Sequence, residues 1–413
     1  MPLLMNNKYM IETEEKKEKV VLVGVSTDDT DINKSLDELA ELVKTAGGEA
    51  VGRVTQNLDR FNNKTYVGSG KIEDILWAIE DYEADAICCD DELSPVQMRN
   101  LNDFLGVKVM DRTMVILDIF AQRASTHEGK IQVELAQMQY RAAKLIGLGK
   151  QMSRTGGGIG TRGPGEKKLE IDRRRIHDRI SLLKKDIEEV VKHRETARKS
   201  RERNGKKVAA IVGYTNAGKS TLLNALTDAG ILSEDMLFAT LDPTTRVLDL
   251  GNGQDILLTD TVGFISKLPH HLVDAFKSTL EEAVYADVII HVVDASDGEY
   301  DDKMSVVYKT LRSLKVENKP VITLFNKYDV LEHEEILKDP KADKTIRVSA
   351  KTGLGLDSFK EALLEFLRGG KTLKTICIPF TETSKVYELK KKYEVVSEEY
   401  KEDGIYLEGY FDN

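Results

Sequence analysis

Val-Ala-Ala-Ile-Val-Gly-Tyr-Thr-Asn-Ala-Gly-Lys-Ser-Thr, at residues 208–221, combines three local patterns in one short stretch. Its first five residues are apolar and rich in branched side chains, which is typical of a buried strand. The Gly-x-x-x-x-Gly-Lys-Ser run at 213–220 follows directly, and Leu222, Leu223 and Leu226 predict a helix after it. A strand, a glycine-rich loop and a helix in this order predict a phosphate-binding P-loop in an α/β domain.

The residue types in this loop fit the chemistry of a nucleotide. Backbone N–H groups of a glycine-rich loop point at phosphate oxygens, and Lys219 neutralises charge on the β- and γ-phosphates. The Ser220 hydroxyl is a hard oxygen ligand for Mg²⁺. The predicted nucleotide contacts are Gly213, Tyr214, Thr215, Asn216, Ala217, Gly218, Lys219, Ser220 and Thr221.

A second motif, Asp-Thr-Val-Gly at 260–263, follows an apolar run at 255–259 that predicts a strand. A carboxylate at the end of that strand, Asp260, can reach Mg²⁺ through water, and the N–H of Gly263 can contact the γ-phosphate. The next residue is Phe264, where some P-loop nucleotide hydrolases carry a Gln that orients the attacking water. A phenylalanine cannot hydrogen-bond water, so we expect slow intrinsic hydrolysis that a partner or another polar group accelerates.

The base is predicted to be guanine. Asn-Lys-Tyr-Asp at 326–329 and Ser-Ala-Lys at 349–351 each follow an apolar strand-like run. Asp329 can accept from both N1–H and the exocyclic amine of guanine, a pair of donors that adenine lacks. Asn326 and Lys327 would join this loop to the P-loop and cover the base, and the N–H of Ala350 would donate to the guanine carbonyl. The base-side residues are therefore Asn326, Lys327, Asp329, Ser349, Ala350 and Lys351.

Before the P-loop, the chain alternates strand and helix patterns from residue 20 to about 124. Short apolar runs at 20–25, 49–55, 84–89 and 107–110 alternate with helical periodicity, which predicts a parallel sheet covered by helices. This gives an N-terminal α/β domain over 1–125. The Gly-Ser-Gly-Lys at 68–71 lacks P-loop spacing and is predicted to be a turn.

A basic two-helix hairpin is predicted over residues 126–206. Apolar positions step by three and four from Leu135 and again from Ile176, which indicates the seam of two packed helices, the second over 167–203. Residues 144–207 hold 20 Lys and Arg against 9 Asp and Glu, a net charge of +11, while the remainder carries −21.

This charge suggests a polyanion partner, although a solvated helix face with excess charge is an equally good explanation. A glycine-rich tip at 153–165 separates the two helices. We favour RNA contact there on electrostatic grounds over a bare linker. The predicted contact residues are Arg154, Arg162, Lys167 and Lys168.

The rest of the chain divides into a P-loop domain at 207–369, which resembles the Ras-like GTPases, and a small α+β domain at 370–413. The last domain has a strand-like run at 375–380, a helix-like run at 384–392 and a hairpin turning at 402–404.

The three cysteines fit neither a disulfide framework nor a zinc site. Without an apolar run near membrane length or a leader, we expect a cytoplasmic protein with no membrane contact. No oligomer signal is present, so a monomer is expected.

The chain resembles the HflX family of ribosome-associated GTPases over roughly residues 20–370. The match lies in Phe-Ala-Thr-Leu-Asp-Pro-Thr-Thr-Arg at 238–246, Asp-Thr-Val-Gly-Phe-Ile at 260–265 and the glycine-rich 156–166. The segments 90–95 and 111–113 also resemble that family. The resemblance implies GTP hydrolysis, binding to the large ribosomal subunit with the hairpin reaching ribosomal RNA, and splitting or rescue of stalled or stored ribosomes.

Two roles follow from resemblance alone. Phe-Ala-Thr-Leu resembles a switch segment, so Thr240 is preferred over Thr244 or Thr245 as the threonine that caps Mg²⁺, with Phe238 beside it. Asn216 resembles an asparagine of GTPases that use K⁺, although an Asn that only shapes the loop is as good an explanation. The predicted catalytic residues are Lys219, Thr240, Asp260, Gly263 and Asn216, and the predicted metal ligands are Ser220 and Thr240.

A second interpretation remains open from the sequence. The chain is then an RNA-binding or RNA-remodelling protein with a regulatory GTPase domain. Its N-terminal domain would bind a further nucleotide, with ATP as the candidate. Nucleotide-dependent association with ribosomal subunits separates the two interpretations.

Overall fold

The computed structural model describes residues 17–27, 31–152, 164–203, 206–227, 237–238, 240–251, 254–267, 280–331 and 336–412. Its contacts divide the chain into two compact units, Met1–Ile116 and Leu117–Asn413. The predicted α/β class with a second helical and a small α+β region is confirmed. The finer boundaries after residues 125, 206 and 369 stay predictions.

The first unit is a four-stranded parallel sheet with strand order β2-β1-β3-β4. Fifteen buried apolar residues form a core against one side of it, including Val21, Val23, Ile75 and Leu101. The elements are β1 Lys19–Ser26, α1 Ile32–Thr45, β2 Glu49–Asn57, α2 Ser69–Tyr82, β3 Ala86–Cys89, α3 Pro95–Leu105, β4 Lys108–Asp111 and the start of α4 Arg112–Arg123.

Local chemistry fixes the helix ends in this unit. The Ser94 hydroxyl accepts from the N–H of Gln97, whose side chain accepts from Ser94 in return, so α3 begins with a capping box. Gly106, with φ 68°, ends the same helix in the left-handed region. The Gly-Ser-Gly-Lys at 68–71 is not a turn: Gly68 is the N-cap of α2, which begins at Ser69.

The motifs at 90–95 and 111–113 meet inside the first unit around a buried arginine. Arg112 is 1% exposed, and its guanidinium donates to Asp90 at 2.7 and 3.2 Å and to Glu38 at 2.6 Å. Asp90 is fully buried. Removing one partner of such an ion pair leaves a buried charge uncompensated, so the loss of either Arg112 or Asp90 is expected to destabilise the carboxyl ends of β3 and β4.

The hairpin consists of α5 His127–Met152 and α6 Pro164–Arg203. The predicted seam is observed: Leu135 and Met138 of α5 pack in one cluster with Ile180, Leu183 and Ile187 of α6. Two ion pairs between the helices flank this seam. Arg179 donates two 2.7 Å hydrogen bonds to Glu134, and Arg194 pairs with Glu128.

The P-loop domain is built on a six-stranded sheet of order β10-β9-β8-β5-β7-β6, parallel except for β6, which runs antiparallel to β7. Twenty-one buried residues from its strands and helices form the main core. The elements are β5 Val208–Gly213, α7 Lys219–Thr227, β6 Thr244–Gly251, β7 Gln254–Asp260, β8 Val288–Asp294, α8 Tyr300–Ser313, β9 Val321–Asn326, β10 Lys344–Arg347 and α9 Leu356–Arg368.

A three-stranded antiparallel sheet of order β11-β13-β12 follows, with its own small core. Arg368, the last residue of α9, donates to Glu394 at 2.7 and 2.8 Å and lies 4.0 Å from the ring centre of Tyr410. Among the described residues, no helix is both long and apolar enough to cross a membrane. The elements are β11 Thr372–Ile378, α10 Thr383–Lys392, β12 Glu394–Lys401 and β13 Gly404–Phe411.

Candidate nucleotide-binding site

The predicted nucleotide motifs meet at one edge of the six-stranded sheet. They follow β5, β7, β9 and β10, four strands that run parallel, so their carboxyl ends lie on the same side. Ligands of open α/β sheets bind at this edge. Motifs up to 140 residues apart in the sequence therefore form a single site.

The P-loop is shaped around its lysine. The Nζ of Lys219 donates to the carbonyl oxygen of Tyr214 at 2.8 Å, and the residue is 7% exposed. Burial lowers the pKa of Lys219 to about 8, and the negative charge of Asp260 only partly offsets that effect. Gly218 has φ 91°, and a Cβ on it would lie 2.2 Å from the Nδ2 of Asn326, so only glycine fits there.

Three oxygen-bearing side chains converge beside the lysine. The Ser220 hydroxyl donates to Asp260 Oδ2 at 2.8 Å, the Thr240 hydroxyl donates to the same oxygen at 3.0 Å, and the two hydroxyl oxygens are 2.7 Å apart. Desolvation raises the pKa of the buried Asp260, opposed by Lys219 and by these two hydroxyls. The arrangement brings together the predicted metal ligands Ser220 and Thr240.

The donor set fits Mg²⁺. In the described structure, Asp260 Oδ1 and Thr215 Oγ1 are buried without a hydrogen-bond partner, so the site contains oxygens with unused lone pairs. Among the described residues there is no cluster of three His, Cys, Asp or Glu that would hold a metal by itself. One carboxylate with hydroxyls suits Mg²⁺, which is usually bound through one or two carboxylates together with substrate phosphates.

The base-side motifs are tied to the P-loop by Asn326. Its Nδ2 donates to the carbonyl oxygen of Ala217 at 2.9 Å, and its Oδ1 accepts from the N–H of Ala350 at 2.9 Å. Lys327 adopts φ 60° and pairs with Asp294 at 2.7 Å.

The remaining base-side residues differ in exposure. Ser349 is fully buried, and its Oγ accepts from the N–H of Thr352 at 3.2 Å. Asp329 and Lys351 are exposed. The Asp329 carboxylate therefore remains accessible to a ligand next to a rigid loop.

Phe264 acts here through its backbone. Its carbonyl accepts from the N–H of Thr215 at 2.8 Å and its N–H donates to Gly213 at 3.1 Å, while the residue is 2% exposed. These bonds join the Asp-x-x-Gly segment, including Gly263, to the P-loop. Asn216 is exposed and adopts φ 61°, a conformation that asparagine tolerates better than most residues.

The predicted RNA contacts fall mostly outside the described part of the chain. Arg154 and Arg162 lie among residues 153–163, which the structure does not describe. Lys167 and Lys168 lie in the first turns of α6, but only their backbone is described. Ala239 also lies outside the described residues.

The neighbours of the predicted switch segment were not predicted from the sequence. Phe238, with φ 55° and 2% exposure, packs edge-on against Phe120 with ring centres 4.6 Å apart. Asp242 accepts hydrogen bonds from Ser125 and Thr126. The only available signal was local: Ser125 and Thr126 precede a predicted helix and suit an N-cap, but nothing in the sequence pairs them with Asp242.

Three family models match the chain in order. They are described as GTP-binding GTPase N-terminal over residues 33–121, GTP-binding GTPase Middle Region over 123–201, and 50S ribosome-binding GTPase over 208–327. The three matches leave only short gaps between residues 33 and 327.

Curated relatives match along almost the whole chain. The GTPase HflX of Lacrimispora saccharolytica is 59% identical over 97% of this chain and 95% of its own length. The GTPase HflX of Caldanaerobacter subterraneus is 48% identical over 96% and 91%, and that of Escherichia coli is 42% identical over 92% and 91%. A crystal structure described as SsGBP with GDP is 26% identical, with a TM-score of 0.48, over 84% of this chain and 98% of that one.

Proposed function

The chain belongs to the HflX family of GTPases, and from this premise we propose that it binds the large ribosomal subunit and uses GTP-dependent switching to split or rescue stalled or stored ribosomes. It is a GTP-binding and GTP-hydrolysing enzyme. The ribosomal partner, the switching and the residue roles below are the proposal. Such a protein acts in the cytoplasm as a monomer.

Phosphate chemistry is assigned to the P-loop and its neighbours. Lys219 would neutralise charge on the β- and γ-phosphates, and Ser220, Thr240 and Asp260 would hold Mg²⁺. Bound Mg²⁺ would neutralise charge that develops on the phosphate oxygens. The convergence of the Ser220, Thr240 and Asp260 oxygens within 3.0 Å supports this assignment.

Guanine recognition is assigned to Asp329, with Lys327 and the backbone of Ala350 beside it. Asn326 positions both loops through its two hydrogen bonds. Two features support guanine over adenine. The three motifs follow parallel strands in order, and only guanine offers Asp329 two neighbouring donors.

Hydrolysis requires a group that orients the attacking water. The buried Phe264 side chain has no polar atom for this task. In the proposal the ribosome completes the site, so turnover is slow in isolation and fast on the ribosome. Asn216 is a candidate ligand for K⁺ beside the phosphates.

Charge carries the proposal of an RNA partner. Residues 144–207, which include most of the hairpin, have a net charge of +11 in a chain of net charge −10. Such a concentration of Lys and Arg favours association with a phosphate backbone. The match of residues 208–327 to a family described as 50S ribosome-binding GTPase supports the large subunit as that partner.

Sucrose-gradient co-sedimentation tests the proposal. The protein is mixed with intact ribosomes or separated subunits, in a non-hydrolysable GTP analogue or GDP, at two salt concentrations. We expect binding to the large subunit in the analogue, with loss of intact ribosomes. Association without preference for a subunit or a nucleotide would favour the RNA-remodelling alternative, and no association in either nucleotide would reject the ribosome as the partner.

A charge-matched comparison localises the contact. The double variant Arg154→Ala with Arg162→Ala removes two positive charges at the predicted tip, and Lys309→Ala with Arg312→Ala removes two exposed charges from α8. The first is expected to weaken association and to reduce its salt dependence, by about 0.7–0.9 in logarithmic slope for each lost phosphate contact. Equal effects of the two variants would reject the tip as the RNA contact.

A further inference from the structure

Asp242 is held by four hydrogen bonds at the beginning of a helix far away in the sequence. Its Oδ2 accepts from the N–H and hydroxyl of Ser125 at 3.0 and 2.7 Å and from the N–H of Thr126 at 2.9 Å. Its Oδ1 accepts from the Thr126 hydroxyl at 2.6 Å. A carboxylate with four donors, two of them backbone groups, is specifically bound and not merely adjacent.

The partner of Asp242 is the first turn of α5. The Thr126 hydroxyl also accepts from the N–H of Gly129 at 2.9 Å, which makes Thr126 the N-cap of this helix. A Cβ on Gly129 would lie 2.3 Å from Asp242 Oδ1, so the carboxylate rests directly on the first turn. The partial positive charge of a helix N-terminus favours an anion in this position.

Phe238 anchors the same segment from its other end. Its ring packs against Phe120 of α4, and both residues are almost fully buried. Phe238 adopts φ 55°, which is unfavourable for an aromatic residue. The buried ring contact holds this backbone conformation in place.

Thr240 lies between these two anchors. Phe238 contacts α4, Asp242 contacts the turn between α4 and α5, and the Thr240 hydroxyl meets Ser220 and Asp260. Phe238 and Asp242 are thus attached to the helical region, and Thr240, which lies between them, is attached to the metal-binding oxygens. Any movement of Thr240 must pull on Asp242, two residues away.

We propose that Asp242 is a positioning residue for the GTPase reaction: docked on Ser125 and Thr126, it holds Thr240 at the Mg²⁺ ligands and couples the nucleotide state to the start of the hairpin. This proposal rests on the metal-binding role assigned to Thr240 above. We call the contact of Asp242 with Ser125 and Thr126 the switch latch.

Thermodynamic linkage gives the latch a measurable consequence. If the latch stabilises the position of Thr240 that a γ-phosphate and Mg²⁺ require, it raises affinity for GTP more than affinity for GDP. By reciprocity, a bound GTP analogue stabilises the first turn of α5 by the same factor. Couplings of this kind usually lie between about 5- and 150-fold, so we expect a factor of about 10.

Equilibrium binding of a GTP analogue and of GDP, with Mg²⁺ present, tests the latch in the full-length protein. Asp242→Asn is expected to reduce the preference for the analogue about 10-fold while GDP affinity stays within about twofold. Asp249→Asn is the matched control, because Asp249 is exposed on β6 and, among the described residues, its side chain accepts a hydrogen bond from the nearby N–H of Gly251 and none from the helical region. The control is expected to bind both nucleotides like the parent protein.

A double-mutant cycle isolates the contact itself. Thr126→Val with Ser125→Ala removes both hydroxyl donors, and combining it with Asp242→Asn should change nucleotide preference little beyond the larger single effect. Additive effects, or an unchanged preference in Asp242→Asn, would overturn the proposal. If Asp242→Asn does not fold, the hydroxyl variant decides in its place, with its GDP affinity as the measure of an intact site.

Hydrogen exchange supplies a readout independent of activity. In the parent protein the analogue should protect the amides of residues 127–131 more than GDP does, and Asp242→Asn should abolish the difference. A role limited to helix capping would instead change protection equally in both nucleotides, which would overturn the proposal.

Thr240→Ala separates this inference from the metal assignment. If Thr240→Ala leaves analogue affinity unchanged, the metal-binding role of Thr240 fails and the latch proposal fails with it. If Thr240→Ala weakens analogue binding but Asp242→Asn does not, only the latch fails.

Discussion

Asn326 Nδ2 donates to the carbonyl oxygen of Ala217 at 2.9 Å and so joins the end of β9 to the phosphate-binding loop. The same side chain accepts from the N–H of Ala350 through Oδ1. Asn326 is 2% exposed, so both hydrogen bonds are shielded from solvent. One amide, which has a donor and an acceptor, holds three loops together, and aspartate could not satisfy both partners.

Asn326→Ala is expected to weaken GTP and GDP binding equally, by at least about 10-fold, because two backbone groups lose a buried partner and each such group left unpaired costs about 1–3 kcal/mol. Equilibrium titration with a fluorescent guanine nucleotide measures both affinities. Asn102→Ala, on an exposed position of α3, is the control. A loss confined to GTP would contradict this positioning role, since the side-chain hydrogen bonds of Asn326 to described residues join the two loops and do not depend on a γ-phosphate.

Asp329→Asn is expected to exchange nucleotide specificity. The amide retains one acceptor and gains a donor. It can therefore no longer accept from both donors of guanine, but its new N–H can donate to the carbonyl oxygen that xanthine carries in place of the amine. Losing a charged hydrogen bond costs about 1.5–3 kcal/mol, so GTP affinity should fall about 10- to 100-fold while xanthosine triphosphate binds better. Asp301→Asn, exposed in the first turn of α8, should bind GTP normally. Weak binding of both triphosphates would indicate a structural defect and contradict base recognition by Asp329.

Lys219 should make nucleotide binding depend on pH. Burial lowers its pKa to about 8, and the charge of bound phosphates raises that pKa again, so binding takes up protons in the alkaline range. The uptake should be clearly larger at about pH 8.5 than at about pH 7, and affinity should fall as pH rises above about 8. Calorimetry in two buffers of different ionisation enthalpy measures the uptake at each pH. Equal uptake at both pH values would contradict a depressed lysine pKa.

Asn216→Gly distinguishes the two roles that Asn216 can have. Glycine keeps φ 61° without strain but removes the amide oxygen. If the oxygen binds K⁺, this variant should lose stimulation of GTP turnover by K⁺ over Na⁺ and retain GDP affinity. Equal turnover of the parent protein in Na⁺ and K⁺, at matched ionic strength, would reject the cation role outright.

The sequence predicted the parts of this fold that local pattern specifies. The P-loop strand, the motif strands and the hairpin seam each carry their signal within a few residues. Strand β6 at Thr244–Gly251 was not predicted as a strand, and the structure gives the reason. It lies at the sheet edge with Leu248 as its one fully buried residue, so apolar alternation is weak.

Contacts between distant residues were beyond sequence reasoning. The switch latch joins Ser125 to Asp242 across 117 positions, and neither residue is unusual where it stands. The same holds for His291 of β8 and Asp339, which lies before β10. The tertiary packing of loops, helix ends and strands brings such groups together, and only the assembled fold reveals them.

His291 and Asp339 should make stability depend on mild acid. His291 is 1% exposed with Nδ1 3.7 Å from Asp339 Oδ2, and burial lowers the pKa of His291 despite that carboxylate. A native pKa below the unfolded value means that the unfolded chain binds more protons between the two. Stability is therefore complete above about pH 6.5 and is lost as pH falls, by up to about 1.4 kcal/mol per pH unit.

His291→Phe removes that titration and is expected to flatten the pH dependence of the unfolding free energy just below about pH 6.5. The phenyl ring keeps the edge-on packing against Tyr308, whose ring centre lies 5.1 Å from that of His291. A loss of stability in acid should remain at lower pH. Asp339 still accepts hydrogen bonds from Tyr308 and Thr323 at 2.5 and 2.7 Å, and its carboxylate must be protonated at low pH. Urea titrations at several pH values measure the slope, with the exposed His177→Gln of α6 as control. An unchanged slope in His291→Phe would mean that other groups cause the acid sensitivity.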